Sequence, residues 1–97
     1  PMEAWQKAAE CLRVLAHPSR LQIVQLLLTE RCTVGEIAER CGLSPSQTSE
    51  HLKLLQRCGF LGCEKESRFA YYQVIEPELS NIMSCIESKF KEMATHA

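Results

Sequence analysis

The segment TVGEIAERCGLSPSQTSEHLKLLQRCG, Thr33 to Gly59, carries two helix-start signatures eleven residues apart with a glycine between them. In Thr33-Val-Gly-Glu36 the threonine hydroxyl can accept a backbone N–H of the coming helix while Glu36 reaches back to the threonine's own N–H. Ser44-Pro-Ser-Gln47 repeats the device, with Pro45 at the first helical position, where its missing N–H costs nothing. The first helix, with Val34, Ile37 and Ala38 inward, must stop at Cys41-Gly42, because glycine readily takes the left-handed conformation that ends helices. Leu43 anchors a tight turn. A second helix then carries Thr48, Leu52 and Leu55 on its buried seam and ends before Gly59. The spacing predicts a helix-turn-helix over about 33–58.

The flanking segments fix the rest of the architecture. Trp5, Ala8, Ala9, Leu12 and Leu15 fall at helical spacing and predict an amphipathic first helix over about 2–16. His17-Pro18 interrupts it and starts a second helix, about 19–29, with Leu21, Ile23, Val24, Leu27 and Leu28 inward and His17 helping to cap it. After Gly59 the period changes from helical to alternating. FLGCEK, a turn around Glu66-Ser67 and the aromatic run RFAYYQV predict a β-hairpin over about 60–74. Glu76-Pro77 opens a last helix, about 77–93, striped by Leu79, Ile82, Met83, Ile86, Phe90 and Met93, and the tail THA is expected to fray. The expected fold is mainly α (α+β): a single winged helix-turn-helix domain over 1–97, in the order α-α-α-α-β-β-α.

At 97 residues the chain can bury enough to fold alone with little to spare. A composition 45% hydrophobic and 24% charged excludes a disordered or fibrous chain. The longest apolar run, inside LQIVQLLL, is broken by Gln22 and Gln25 and falls short of a membrane span. No charged start followed by an apolar stretch resembles a signal peptide, so no membrane partner and a cytoplasmic location are expected; Pro1 ahead of Met2 reads as a remnant of cloning. In the cytoplasm the six cysteines would be reduced, as core residues, metal or metalloid ligands, or redox sensors.

A helix-turn-helix places its second helix in the major groove of double-stranded DNA, whose base edges present donor and acceptor patterns. Ser46, Gln47, Ser49, Glu50 and Lys53 project opposite Thr48, Leu52 and Leu55 and are the expected readers. Charge supports this weakly: from Ser44 to Val74, four basic residues (Lys53, Arg57, Lys65, Arg68) stand against three acidic ones (Glu50, Glu64, Glu66), a net of +1. A symmetric dimer would double both contacts and charge. Glu50 departs from a basic reading face; it could accept from a cytosine amino group or weaken nonspecific binding. Two other classes stay open: a winged-helix module for protein contacts without DNA binding, and a small thiol enzyme. The latter lacks a Cys-x-x-Cys pair or a cysteine with an evident His and acidic partner.

AHPSRLQIVQLL, ERCTVGEIAERCGLSPSQTSEHLKLLQRCGFL and SRFAYYQV, occurring in that order, resemble the ArsR/SmtB family of bacterial winged-helix repressors, from about Cys11 to Lys91. The resemblance implies a homodimer built from the first and last helices. It implies a palindromic operator and release by an inducer, often a metal ion or metalloid. Arg68 matches the family's wing arginine, expected at a phosphate or in the minor groove, and His51 is expected to support the reading helix or a phosphate. Where the family commonly has glycine before that arginine Ser67 stands, so a longer or differently shaped turn is expected.

The family's sensing patterns are each incomplete here. Its zinc-type site on the last helix corresponds to Glu76, Glu78, Lys89 and Glu92, a poor soft-metal set. Its thiolate site at the third helix is met only by Cys32, one residue early. Its recognition-helix cysteine pair is met by Cys58 but not by Leu54, and its redox pair by Cys85 alone. Cys41 and Cys58, before helix-ending glycines, read as packing residues. Cys11 and Cys85, on the two expected dimer helices, form the first sensing pair to test. Cys32 and Cys63 stay open, and His96 sits in the tail. The inducer, a thiophilic metal or metalloid or none, is not fixed by these residues.

Overall fold

The computed structural model describes residues 1–91; Glu92, Met93 and His96 lie outside the described residues. Five helices and one hairpin follow in the expected order: α1 Met2–Leu15, α2 Pro18–Thr29, α3 Val34–Cys41, α4 Pro45–Arg57, β1 Leu61–Glu66, β2 Phe69–Val74 and α5 Leu79–Lys89. Both predicted capping boxes form. Gln47 N–H donates to Ser44 Oγ at 3.1 Å and Ser44 N–H to Gln47 Oε1 at 3.0 Å, and Thr33 and Glu36 exchange the same pair of bonds. Two backbone N–H groups that a helix start leaves without intrahelical partners are satisfied each time. Gly42 takes φ 65° at the end of α3, and the Leu43 N–H turns back onto the Ala38 carbonyl.

The core gathers Ile23, Val24 and Leu27 of α2, Ile37 of α3, Leu52 and Leu55 of α4, and Leu61 of β1, closed by Leu79 and Met83 of α5. The expected inward positions of α2, α3 and α4 are confirmed. In α1, the amphipathic first helix, only Leu15 is buried, while Trp5 and Leu12 remain 71% and 56% exposed. A helix at the edge of so small a core has one flank to bury, and its main apolar stripe lies on the other.

Two expected details are corrected, the length of the hairpin turn and the start of the last helix. Ser67 does not lengthen the hairpin turn: Glu66 pairs with Phe69, leaving the two-residue loop Ser67-Arg68, and Ser67 itself adopts φ 59°. Tight hairpin turns need a positive φ to match the twist of the strands, and serine bears it at some cost where glycine would not. The last helix begins at Leu79 rather than at Pro77. The Leu79 N–H bonds three residues back to the Glu76 carbonyl, and Glu76 Oε2 takes the Glu78 N–H at 2.9 Å, so a tighter turn precedes the first α-helical bond.

The hairpin is also anchored where no sequence pattern indicated it. Cys32, between α2 and α3, exchanges both backbone bonds with Tyr72 of β2, at 3.1 and 2.7 Å. That bridge fixes β2 to the segment joining α2 and α3.

Candidate nucleic-acid interface

The helix α4 is held from below and presented outward. Thr48 is fully buried, yet its hydroxyl is satisfied, donating to the Ser44 carbonyl at 2.9 Å. Leu52 and Leu55 complete the seam at 1% and 0% exposure. Burying each leucine is worth on the order of 2 kcal/mol relative to exposure, so rolling the helix about its axis is costly. Ser46, Gln47, Glu50 and Lys53 are exposed on the other side and Ser49 is half-buried beside them. Together with Pro45 these residues line one open surface depression of about 540 Å³. The five expected readers thus share one face. Gln47 has two tasks: its Oε1 is committed to the cap, which leaves its NH2 group to face outward.

The flank of α4 brings together residues that the sequence pattern did not join. Arg20 of α2 donates from Nε to His51 Nδ1 at 3.0 Å and from Nη1 to the Val14 carbonyl at 3.2 Å. His17 accepts the Ser19 N–H on Nδ1 at 3.1 Å, capping α2 as expected, and its ring lies 4.8 Å from that of His51. Because His51 Nδ1 accepts, the ring's proton resides on Nε2. Burial, then Arg20 and His17, hold His51 below the ordinary histidine value, with Glu50 opposing. A smaller depression of about 180 Å³ here is lined by Arg20, His51, Lys53 and Arg57, with Glu50 and Leu54.

On the wing, Arg68 occupies the second loop position at the exposed tip, its guanidinium 5.6 Å from the Phe69 ring centroid. The acidic side chains Glu64 and Glu66 do not face solvent alone. Arg31 pairs with Glu66, stands 3.9 Å from Glu64, and lies 4.5 Å above the Tyr71 ring. Arg31 is correspondingly held above its ordinary value, chiefly by Glu66. Arg20 and Arg31 thus join Lys53, Arg57 and Arg68 as arginine and lysine side chains around α4 and the wing. Nothing in the local sequence around Arg31 signals this pairing, which depends on the Cys32–Tyr72 bridge.

The cysteines separate by environment. Cys32 is a core residue at 1% exposure, and burial, with Glu30, pushes its thiol up, which weighs against a sensing role. Burial likewise raises Cys41. Cys63 is exposed on β1 opposite Tyr72, and Cys85 is exposed on α5. Cys11 acquires a neighbour not paired with it in the sequence: Cys58, which lines the same depression and whose thiol is pushed up to about 11 chiefly by burial, with the Cys11 thiol adding to the shift. Among the described residues no group of three or more His, Cys, Asp or Glu side chains is placed to hold a metal ion. At the zinc-type positions of the last helix, Glu76 accepts the Glu78 N–H and Glu78 accepts from Asn81 Nδ2 at 2.8 Å.

A capped reading helix seated on a turn, a basic flank and an anchored hairpin define a winged helix-turn-helix DNA-binding protein. The family described as "Bacterial regulatory protein, arsR family" matches residues 17–61. The transcriptional activator HlyU of Vibrio cholerae is 34% identical over 80 residues, 82% of this chain and 74% of that protein. The transcriptional repressor SmtB of Mycobacterium tuberculosis is 34% identical over 84 residues, 86% of this chain and 62% of that one. The crystal structure of NolR from Sinorhizobium fredii superposes with a TM-score of 0.86 at 28% identity, covering 92% of this chain and 89% of the other. The chain belongs to the ArsR family and is a DNA-binding transcriptional regulator, not an enzyme. No helix among the described residues is long and apolar enough to cross a membrane.

Proposed function

We propose that the chain works as one domain, helix-turn-helix about 33–58 and wing about 60–74, in a homodimeric repressor that binds a palindromic operator. The observation that carries this is the seating of α4. Thr48, Leu52 and Leu55 are buried while Ser46, Gln47, Glu50 and Lys53 stand exposed on one face. Ser46, Ser49, Glu50 and the free amide of Gln47 meet base edges, Lys53 and His51 a phosphate, and Arg68 the backbone or minor groove beside the wing. Dimerisation through α1 and α5 is supported by Met2, Trp5, Leu12, Ile82 and Phe90, large apolar side chains exposed on those helices. Two copies would set their α4 helices into major grooves about one helical turn of DNA apart, roughly 34 Å, which is what a palindrome presents.

An inducer that favours the DNA-free arrangement releases the operator; a metal, metalloid or thiol signal fits the cysteine content. Cys85, exposed on α5, and Cys11 are its expected receptors. The free thiols suit the cytoplasm. Relatives of equal identity bear an activator's and a repressor's name.

Fluorescence anisotropy on DNA from upstream of the coding sequence tests it, at fixed salt. The double variant Ser49→Ala/Lys53→Ala should bind at least about tenfold more weakly, as loss of one base contact and one phosphate contact implies. Unchanged affinity would mean that α4 is not the reader.

A further inference from the structure

We propose that Cys11 of α1 and Cys58 at the end of α4 form a two-coordinate site for a soft monovalent cation, copper(I). Both thiols line one surface depression of about 410 Å³ between the helices, with Lys7, Glu10, Val14, Leu54 and Arg57. Lys7, Cys11 and Val14 line this depression, whereas Met2 and Trp5 line a different one on α1, with Glu10 bordering both.

Ligand count selects the ion. Zinc asks for four ligands and calcium or magnesium for oxygens, and no group of three or more candidate ligands exists among the described residues. Copper(I) is selected by soft thiolates and is satisfied by two of them in line. Two metal–sulfur bonds of about the zinc–thiolate length, ~2.3 Å each, span up to ~4.6 Å. Neighbouring thiols can meet that separation without the closure to ~2.05 Å that a disulfide needs.

A soft cation binds the two sulfurs as thiolates and so displaces both thiol protons. The step balances as one copper(I) and two thiols giving a bis-thiolate complex of charge −1 and two protons released to solvent; no electron is transferred. Lys7 and Arg57 on the same wall, against Glu10, leave one positive charge to offset it. Occupancy ties α1 to the C-terminal end of the reading helix. The site stands independently of how the chain contacts DNA.

The test is an anaerobic titration of the reduced 97-residue chain with copper(I) in competition with bicinchoninate, with protons followed by a pH indicator. The expected result is one tightly held ion per chain and two protons released. Cys11→Ser and Cys58→Ser should each weaken binding at least ~100-fold, beyond the roughly 10–100-fold lost with an outer-shell partner, while Cys63→Ser and Cys85→Ser bind as the parent does. Circular dichroism establishes that each variant is folded, and Cys58→Ala replaces Cys58→Ser should the latter not fold. Retention of tight binding by Cys11→Ser, or its loss in Cys63→Ser or Cys85→Ser, overturns the assignment. So does a parent chain that holds no copper(I) against the competitor.

Discussion

Arg20 donates its Nε–H to His51 Nδ1 across 3.0 Å, tying the first turn of α2 to the middle of the reading helix. The bond requires a neutral ring, because a protonated imidazole has no acceptor left. His51 is faced by Arg20 and His17 from the α2 side and by Glu50 from its own helix, and the net effect with burial is a lowered value.

A lowered folded value means that the native state binds fewer protons than the unfolded one just below the ordinary histidine value of 6.5. Stability therefore rises with pH through that window and is lost as pH falls through the folded value. Urea midpoints measured between about pH 7.5 and pH 5.5 should fall on acidification. His51→Gln, whose amide oxygen can still accept from Arg20, should flatten that dependence. Equal slopes in parent and variant would assign the pH response elsewhere.

Leu52→Ala and Leu55→Ala each remove a side chain no more than 1% exposed. Each should cost about 2–5 kcal/mol, from lost transfer energy plus a cavity. Ser44→Ala breaks the cap on the same helix and should cost about 1 kcal/mol. Denaturant midpoints rank the three; a Ser44→Ala loss equal to the leucine losses would contradict the solvent-exposed geometry of the cap.

Trp5→Glu and Ile82→Glu place charges on the exposed stripes of α1 and α5 without entering the core. In sedimentation equilibrium the parent should behave as a dimer and both variants as monomers at the same concentration, because a buried unpaired carboxylate is strongly unfavourable. Operator affinity should fall together with dimerisation. A variant that stays dimeric removes its helix from the interface.

Ser67→Gly should leave the chain as stable or more stable by up to about 1 kcal/mol, as glycine bears positive φ without the Cβ penalty that serine meets at 59°. Thermal unfolding reads the difference. A marked loss would mean that the Ser67 side chain holds the wing by a contact of its own.

The helix-turn-helix was legible because its signals are local. Capping boxes act over three residues, a helix-ending glycine over one, and the Thr48-Leu52-Leu55 seam repeats at helical spacing, so each is decided by neighbours in the chain. The hairpin was legible for the same reason, though its turn length was not, since the cost of positive φ at Ser67 is outweighed by strand pairing on both sides. The α1 stripe was legible as apolar, but its spacing does not say whether it faces this chain's core or another surface.

Family membership and the outward placement of Ser46, Gln47, Glu50 and Lys53 on α4 thus follow from sequence alone, as local pattern fixes both the helix and the face it buries. Tertiary structure decided what joins residues far apart in the chain. Arg20 meets His51 thirty-one positions away, Arg31 neutralises Glu66 thirty-five positions away, and Cys11 comes beside Cys58 at the wall of one depression. Such contacts depend on the angles at which helices cross and on where the Cys32–Tyr72 bridge holds the wing. Those are set by packing of the whole core and carry no periodicity that a single sequence displays.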